Sequence, residues 1–284
     1  MAFDLKNYLA DRKTRVEADL FACLPVAGTR PVELAEAMRH AVISGGKRLR
    51  PILCLAAAEA AGGKAEDAIH AACAVELLHT YTLVHDDLPC MDNDTLRRGQ
   101  PTVWAKYGEA MAVLVGDALQ TLAFETLART TSSPSLVPRL VSELAKAAGT
   151  TGVIAGQVED IQFAGSPTRD IINYVFQHKT ADLFRAAVRL GGITGGASDE
   201  ALQHLSNYGN NLGIAFQIID DLLDARQASA GDKPELTCLA VMSEEEARDY
   251  AQQTTGGACI ALNSLSGDTQ PLTALANELL SRIL

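Results

Sequence analysis

The sequence predicts an all-α protein, a single large helical bundle spanning residues 1–284 as one domain. Three observations predict it. Apolar stretches too long for strands recur along the chain, among them Ala71 to Val84. Hydrophobic residues make up 48% of the chain and aromatic residues only 5%, so the core is built from Ala, Leu, Val and Ile, which suits closely packed helices. Length alone suggests roughly two domains. The Ser-, Thr- and Pro-rich stretch Thr130 to Pro138 is nevertheless too short for a linker, and the helical patterns on its two sides are alike.

In chain order, Phe3 to Phe21 reads as an amphipathic helix ended near Pro25 and Gly28. Pro31 suits the first turn of a helix reaching about Ile43. In Ser44-Gly45-Gly46-Lys47-Arg48-Leu49-Arg50-Pro51, two glycines precede three cations. Such a loop can bring amides and side chains onto a phosphate, although a short basic run is more often solvated charge. Leu53 to Ala61 and Asp67 to Val84 are apolar helices. Glu76 and His79 on the latter form an E-x-x-H pair of the di-iron kind, but no second pair exists to complete it. Pro101 to Tyr107 is a connector and Ala110 to Arg129 a buried helix. On a helix from Val141 to Phe163, Gln157 and Asp160 share a face. Ile171 to Leu190 is a helix ended by Gly191-Gly192 and Gly195-Gly196. Its Lys179 either snorkels outward or pairs with an anion. Ala201 to Leu223 is the last long helix before the C-terminal helices from Ser243.

Two acidic clusters interrupt this apolar pattern. Asp86, Asp87, Asp92 and Asp94 follow the helix that ends near Val84, with Arg97-Arg98-Gly99 just beyond. Carboxylates at the end of a buried helix are costly unless a cation neutralises them, and the helix dipole there favours cations. Pro89 stops the helix, so Asp92 returns from a turn. Downstream, Asp220 and Asp224 lie four apart on one helix face, with Asp221 beside them. Magnesium prefers a few carboxylates plus substrate phosphate oxygens, so a diphosphate bridged by magnesium is the natural ligand of two such clusters.

Asp86-Asp87-x-x-x-x-Asp92 with Arg97-Arg98-Gly99, and Asp220-Asp221-x-x-Asp224 preceded by Phe216-Gln217, resemble the two aspartate-rich motifs of the trans-isoprenyl diphosphate synthases. The resemblance covers nearly the whole chain. It implies the isoprenoid synthase type of bundle around a central cavity, and head-to-tail joining of isopentenyl diphosphate to an allylic diphosphate. By the same resemblance, three magnesium ions would bridge to the allylic diphosphate. Asp86, Asp92 and Asp220 would hold them, with Asp87, Asp221 and Asp224 as further ligands or their neighbours. The Gly-Gly-Lys-Arg-Leu-Arg-Pro segment matches the family's homoallylic site, so Lys47, Arg50, His79 and Arg98 would hold isopentenyl diphosphate. Arg97 and Lys179 would face the allylic diphosphate, and Thr180 and Gln217 would set oxygen dipoles beside the allylic cation. Tyr81 and Thr82, about one turn below Asp86, would form the floor that sets product length. With the four-residue gap in the first motif, Tyr81 favours farnesyl diphosphate as product, with geranylgeranyl diphosphate the alternative.

The chain departs from that family after Asp224, where the loop is shorter and Glu235 falls where a lysine is expected. Lys233 fills that place only if the register shifts. A non-catalytic subunit is therefore a rival reading, opposed by the two intact acidic motifs. A terpene cyclase is a second rival, but its second metal motif has a different pattern. The family implies a homodimer. The net charge of −11 argues against nucleic acid as main partner. The charged start and the absence of a long uncharged apolar run predict no leader, no membrane span and a cytoplasmic location. The six cysteines include no C-x-x-C and read as reduced thiols.

Overall fold

The computed structural model describes residues 3–130, 134–226 and 236–283. Helix α1 (Leu5–Cys23) starts where the Asp4 carboxylate accepts the Asn7 N–H at 3.0 Å. Then come α2 (Val32–Ile43), α3 (Leu49–Ala60) and α4 (Ile69–Asp86), followed by a small antiparallel hairpin of β1 (Leu96–Arg97) and β2 (Gln100–Pro101). The chain continues through α5 (Val103–Tyr107), α6 (Glu109–Ala128), α7 (Val137–Ala148), α8 (Val153–Gln162) and α9 (Arg169–Val175). A π-helical turn, Phe176–Ala181, leads directly into α10 (Asp182–Thr194). Helices α11 (Asp199–Ala225), α12 (Glu244–Ala261) and α13 (Gln270–Ser281) close the bundle.

Helix α4 is the hub, packed against α1, α3, α6 and α10. Residues on every side of it are buried, which is why its sequence lacks a polar face. Helix α6 is, among the described residues, the one helix long and apolar enough to cross a membrane. Much of that apolarity is used against α4, and one weakly apolar helix is not a span.

Several expected boundaries move. The helix expected over Val141 to Phe163 is two helices, broken between Gly149 and Gly152. The expected loop at Thr130 to Pro138 gives way at Val137 to α7, because proline is accepted in a first helical turn. The connector Pro101 to Tyr107 contains α5. Gly191 and Gly192 do not end a helix: α10 runs through them to Thr194. A Cβ at Gly191 would overlap the Cys54 carbonyl, so glycine permits the close approach of α3 and α10, and packing overrides its helix penalty of about 1 kcal/mol.

Candidate active site

The first acidic cluster is built by the way α4 ends. The Asp92 N–H donates to the Asp86 carbonyl at 2.9 Å, and the Asn93 N–H to the Leu88 carbonyl at 3.0 Å. Asn93 takes the left-handed conformation that this turn needs. Asp92 is thereby folded back over the helix end. Burial pushes the Asp86 carboxyl up to about 7, with Lys179 opposing and Asp92 adding to the shift. Burial likewise takes Asp87 to about 6, although Arg97 Nε donates to its Oδ1 at 2.6 Å. Burial also raises Asp92.

On α11 the second cluster splits. Asp221 turns inward, accepting the Cys238 N–H at 2.7 Å and Gln217 Nε2 at 3.0 Å, yet burial still raises it to about 6. Asp220 is half-buried and meets Arg282 Nη1 at 3.3 Å; burial raises it, while Arg282 and Lys47 pull it down. Asp224 is exposed.

Asp92 and Asp94 of the first cluster and Asp221 of the second line one polar cavity of about 500 Å³, with Asp160, Lys179 and Gln217 among others, while Asp220 and Asp224 lie outside its lining. A second cavity of about 450 Å³ shares Lys179, Thr180 and Met91 with it. Its walls are mostly apolar and include Tyr81, Val153, Ile154, Val158 and Leu183, with Asp86, Arg50 and His79 also lining it. At the shared wall, Lys179 Nζ pairs with Asp160 Oδ2 at 2.5 Å. Burial works to lower the Lys179 ammonium, but Asp160, Asp86 and Asp92 hold it above the ordinary lysine value. Thr180 Oγ1 donates to Gln217 Oε1 at 2.8 Å.

The basic loop borders the same region. Arg50 Nη1 lies 3.2 Å from His79 Nε2; since guanidinium only donates, that ring nitrogen is the acceptor. Burial, with Arg50 next, holds His79 well below the usual histidine value, and burial brings Arg50 down to about 10. The Arg50 guanidinium lies 4.6 Å from the Phe184 ring centroid, and its Nε is buried without a partner. Arg98, at φ +54 in the hairpin turn, donates to the Gly45 carbonyl. A Cβ at Gly46 would sit 2.5 Å from Arg98 Nη1, so glycine there leaves the arginine its place. Lys47 is exposed. Glu76 is no metal partner of His79: it pairs with Arg48. The Thr82 hydroxyl is spent on the His79 carbonyl at 2.8 Å. Lys233 lies outside the described residues.

The family model for polyprenyl synthetase matches residues 31–235 of this chain. The chain belongs to that family. Heterodimeric geranylgeranyl pyrophosphate synthase large subunit 1 of Arabidopsis thaliana is 42% identical, over 99% of this chain and 80% of its own length. Geranylgeranyl pyrophosphate synthase 7 of the same plant is 41% identical, over 99% of this chain and 84% of its own. Among solved structures, an FPP/GFPP synthase from Zymomonas mobilis superposes with a TM-score of 0.89 at 36% identity, covering 99% of this chain and all of that one. This polyprenyl synthetase is therefore an all-α prenyltransferase.

Among the described residues no three ligating side chains already form a metal cluster. The donor set still fits magnesium. It consists of oxygens only, distributed so that each cation would take few protein carboxylates, and burial raises Asp86, Asp92 and Asp220, with neighbouring carboxylates adding to it. Three further contributors had little or no signal in the sequence. The Cys238 amide reaches Asp221 across 17 positions, Gln120 faces Tyr81 from α6, and the buried Asp182 follows the Lys179-Thr180 pair.

Proposed function

We propose that this prenyltransferase joins isopentenyl diphosphate to allylic diphosphates and extends them to geranylgeranyl diphosphate. The observation that carries the reaction is the junction, at Lys179 and Thr180, of an acid-lined cavity with a largely apolar one. A prenyl diphosphate has those two halves. Two relatives named as geranylgeranyl synthases, at 42% and 41% identity, support the twenty-carbon product over the farnesyl expectation. Farnesyl diphosphate is the second reading, favoured by the buried Tyr81 on the apolar cavity wall.

In this reading the allylic C–O bond breaks heterolytically and pyrophosphate leaves. The isopentenyl double bond forms the new C–C bond, and a proton passes from the adduct to the pyrophosphate. Asp86, Asp92 and Asp220 would hold magnesium, which would supply neutralising charge for the allylic diphosphate. Lys179 and Arg97 add positive charge on the same side. Thr180 and Gln217 put oxygen dipoles beside the forming cation, and the apolar walls keep water from it. Lys47, Arg50 and Arg98 hold the isopentenyl diphosphate. Neutral His79 accepts from Arg50 and so fixes which guanidinium edge remains for the anion.

The test is a product assay with isopentenyl diphosphate, magnesium and, in turn, dimethylallyl, geranyl and farnesyl diphosphates, read by mass spectrometry. Twenty-carbon product from all three starters supports the main reading. Product stopping at fifteen carbons supports the second, and no product from folded protein supports the non-catalytic subunit. The homodimer is proposed as well; exposed Val113 and Leu114 on α6 offer it an apolar face, and sedimentation at micromolar protein tests it.

A further inference from the structure

The geometry points to Asp182 as a positioning residue that holds the Phe176–Ala181 π-helical turn so that Lys179 and Thr180 face the same site; this rests on the substrate-facing reading of those two residues.

Consecutive residues of an α-helix point about 100° apart. Lys179 and Thr180 nevertheless both line both cavities, Lys179 toward Asp160 on α8 and Thr180 toward Gln217 on α11. The wider turn makes that possible, but π-helical hydrogen bonding is rarely adopted and is found frequently at functional sites. Something must favour it over a regular helix. Packing confines it from two sides. A Cβ at Gly156 on α8 would overlap the Lys179 amide, and one at Gly213 on α11 would come within 2.5 Å of the Ala181 Cα.

Asp182 fastens the turn at its C-terminal end. Its side chain is 1% exposed. Its Oδ1 accepts Gln177 Nε2 at 3.1 Å and forms an ion pair with Arg185 Nη2 at 3.0 Å, and its Oδ2 meets His178 Nδ1 at 2.8 Å. The partners four and five residues back span the turn itself, and Arg185 ties it to α10. Gln177 in turn donates to Asn210 Oδ1 at 3.2 Å, linking the turn to α11. Asp182 touches neither cavity, so its influence on chemistry passes through the backbone between 177 and 181.

The experiment is a double-mutant cycle on the full-length protein. It measures affinity for inorganic pyrophosphate with magnesium by calorimetry, and kcat for condensation. Asp182→Ala is expected to weaken pyrophosphate binding about tenfold and to lower kcat by a similar factor, and to weaken binding less than about twofold in a Lys179→Ala background. A purely structural role predicts the same loss in both backgrounds, and that result overturns the proposal. So does binding and kcat in Asp182→Ala equal to wild type. Should Asp182→Ala not fold, Asp182→Asn carries the test, since it keeps an acceptor for Gln177 but loses the charge facing Arg185. If neither folds, Asp182 is a folding residue and the proposal fails. Wild-type protein that binds no magnesium pyrophosphate sinks the prenyl-transfer reading, and this proposal with it.

Discussion

Arg48 Nη1 and Glu76 Oε1 lie 2.8 Å apart, with the two side chains only 1% and 4% exposed. Arg48 takes the left-handed conformation at φ +52, and it also donates to the Val42 carbonyl at 2.6 Å. The pair pins the basic loop to α4, the helix that carries His79 and ends in Asp86. Removing Arg48 leaves the buried Glu76 carboxylate without its partner, whereas Arg48 without Glu76 still meets Glu17 Oε1 at 3.3 Å. Arg48→Met is therefore expected to cost about 3–5 kcal/mol of stability, whereas Arg48→Met with Glu76→Leu recovers most of it. Urea unfolding of the single and the double variant checks this; equal losses in the two would show that the pair does not act as a unit.

Arg50 is the arginine whose Nε is buried and unpartnered beside the site. Arg50→Ala is expected to raise KM for isopentenyl diphosphate roughly 10- to 100-fold, the worth of a hydrogen bond to a charged group. KM for the allylic partner should stay within about twofold, because the proposed allylic contacts are on Lys179 and Arg97. Steady-state kinetics with each substrate varied in turn separates the two. A rise in both would place Arg50 elsewhere in the reaction.

Most of this site was legible from the sequence, for a physical reason. Carboxylates such as Asp86 and Asp220 on apolar helices are costly to bury without a partner, so they stand out. The pairings that decide orientation were not legible. Glu76 and His79 have the spacing of a metal pair that no second pair completes, and only the fold brings Arg48 to Glu76 across 28 positions. Helix ends failed where packing overrode propensity, as at Gly191. The π-helical turn at Lys179 was not legible either, since it differs from an α-helical turn by a single position in its hydrogen bonding.

Burial and the neighbouring Arg50 hold His79 neutral, well below its ordinary value. The unfolded chain takes up that proton near pH 6.5 and the folded chain refuses it, so this group's contribution is present above about pH 6.5 and is lost as pH falls below it. His79→Gln keeps a neutral acceptor for Arg50 and removes the titration. The difference in unfolding free energy between wild type and His79→Gln is expected to shrink or reverse in the variant's favour from pH 7 to pH 5. A difference independent of pH would mean that His79 is protonated in the fold as readily as in the unfolded chain.

Tyr81 projects from α4 onto the wall of the apolar cavity, buried, its ring edge-on to His85 at 5.8 Å and its hydroxyl toward Gln120 of α6. Ring and amide together bridge two helices where a growing chain would run. Tyr81→Ala is expected to lengthen the product by at least one five-carbon unit, with initial condensation retained because the diphosphate-facing residues are untouched. Gln120→Ala should give a smaller shift, since it frees the ring without removing it. Mass spectrometry of products at equal turnover decides. If wild type stops at fifteen carbons and Tyr81→Ala continues to twenty, the tyrosine is the stop and the relatives' names mislead about this chain. If wild type already reaches twenty and Tyr81→Ala changes nothing, the chain passes beside the ring and the floor lies deeper, beyond the α4–α6 wall.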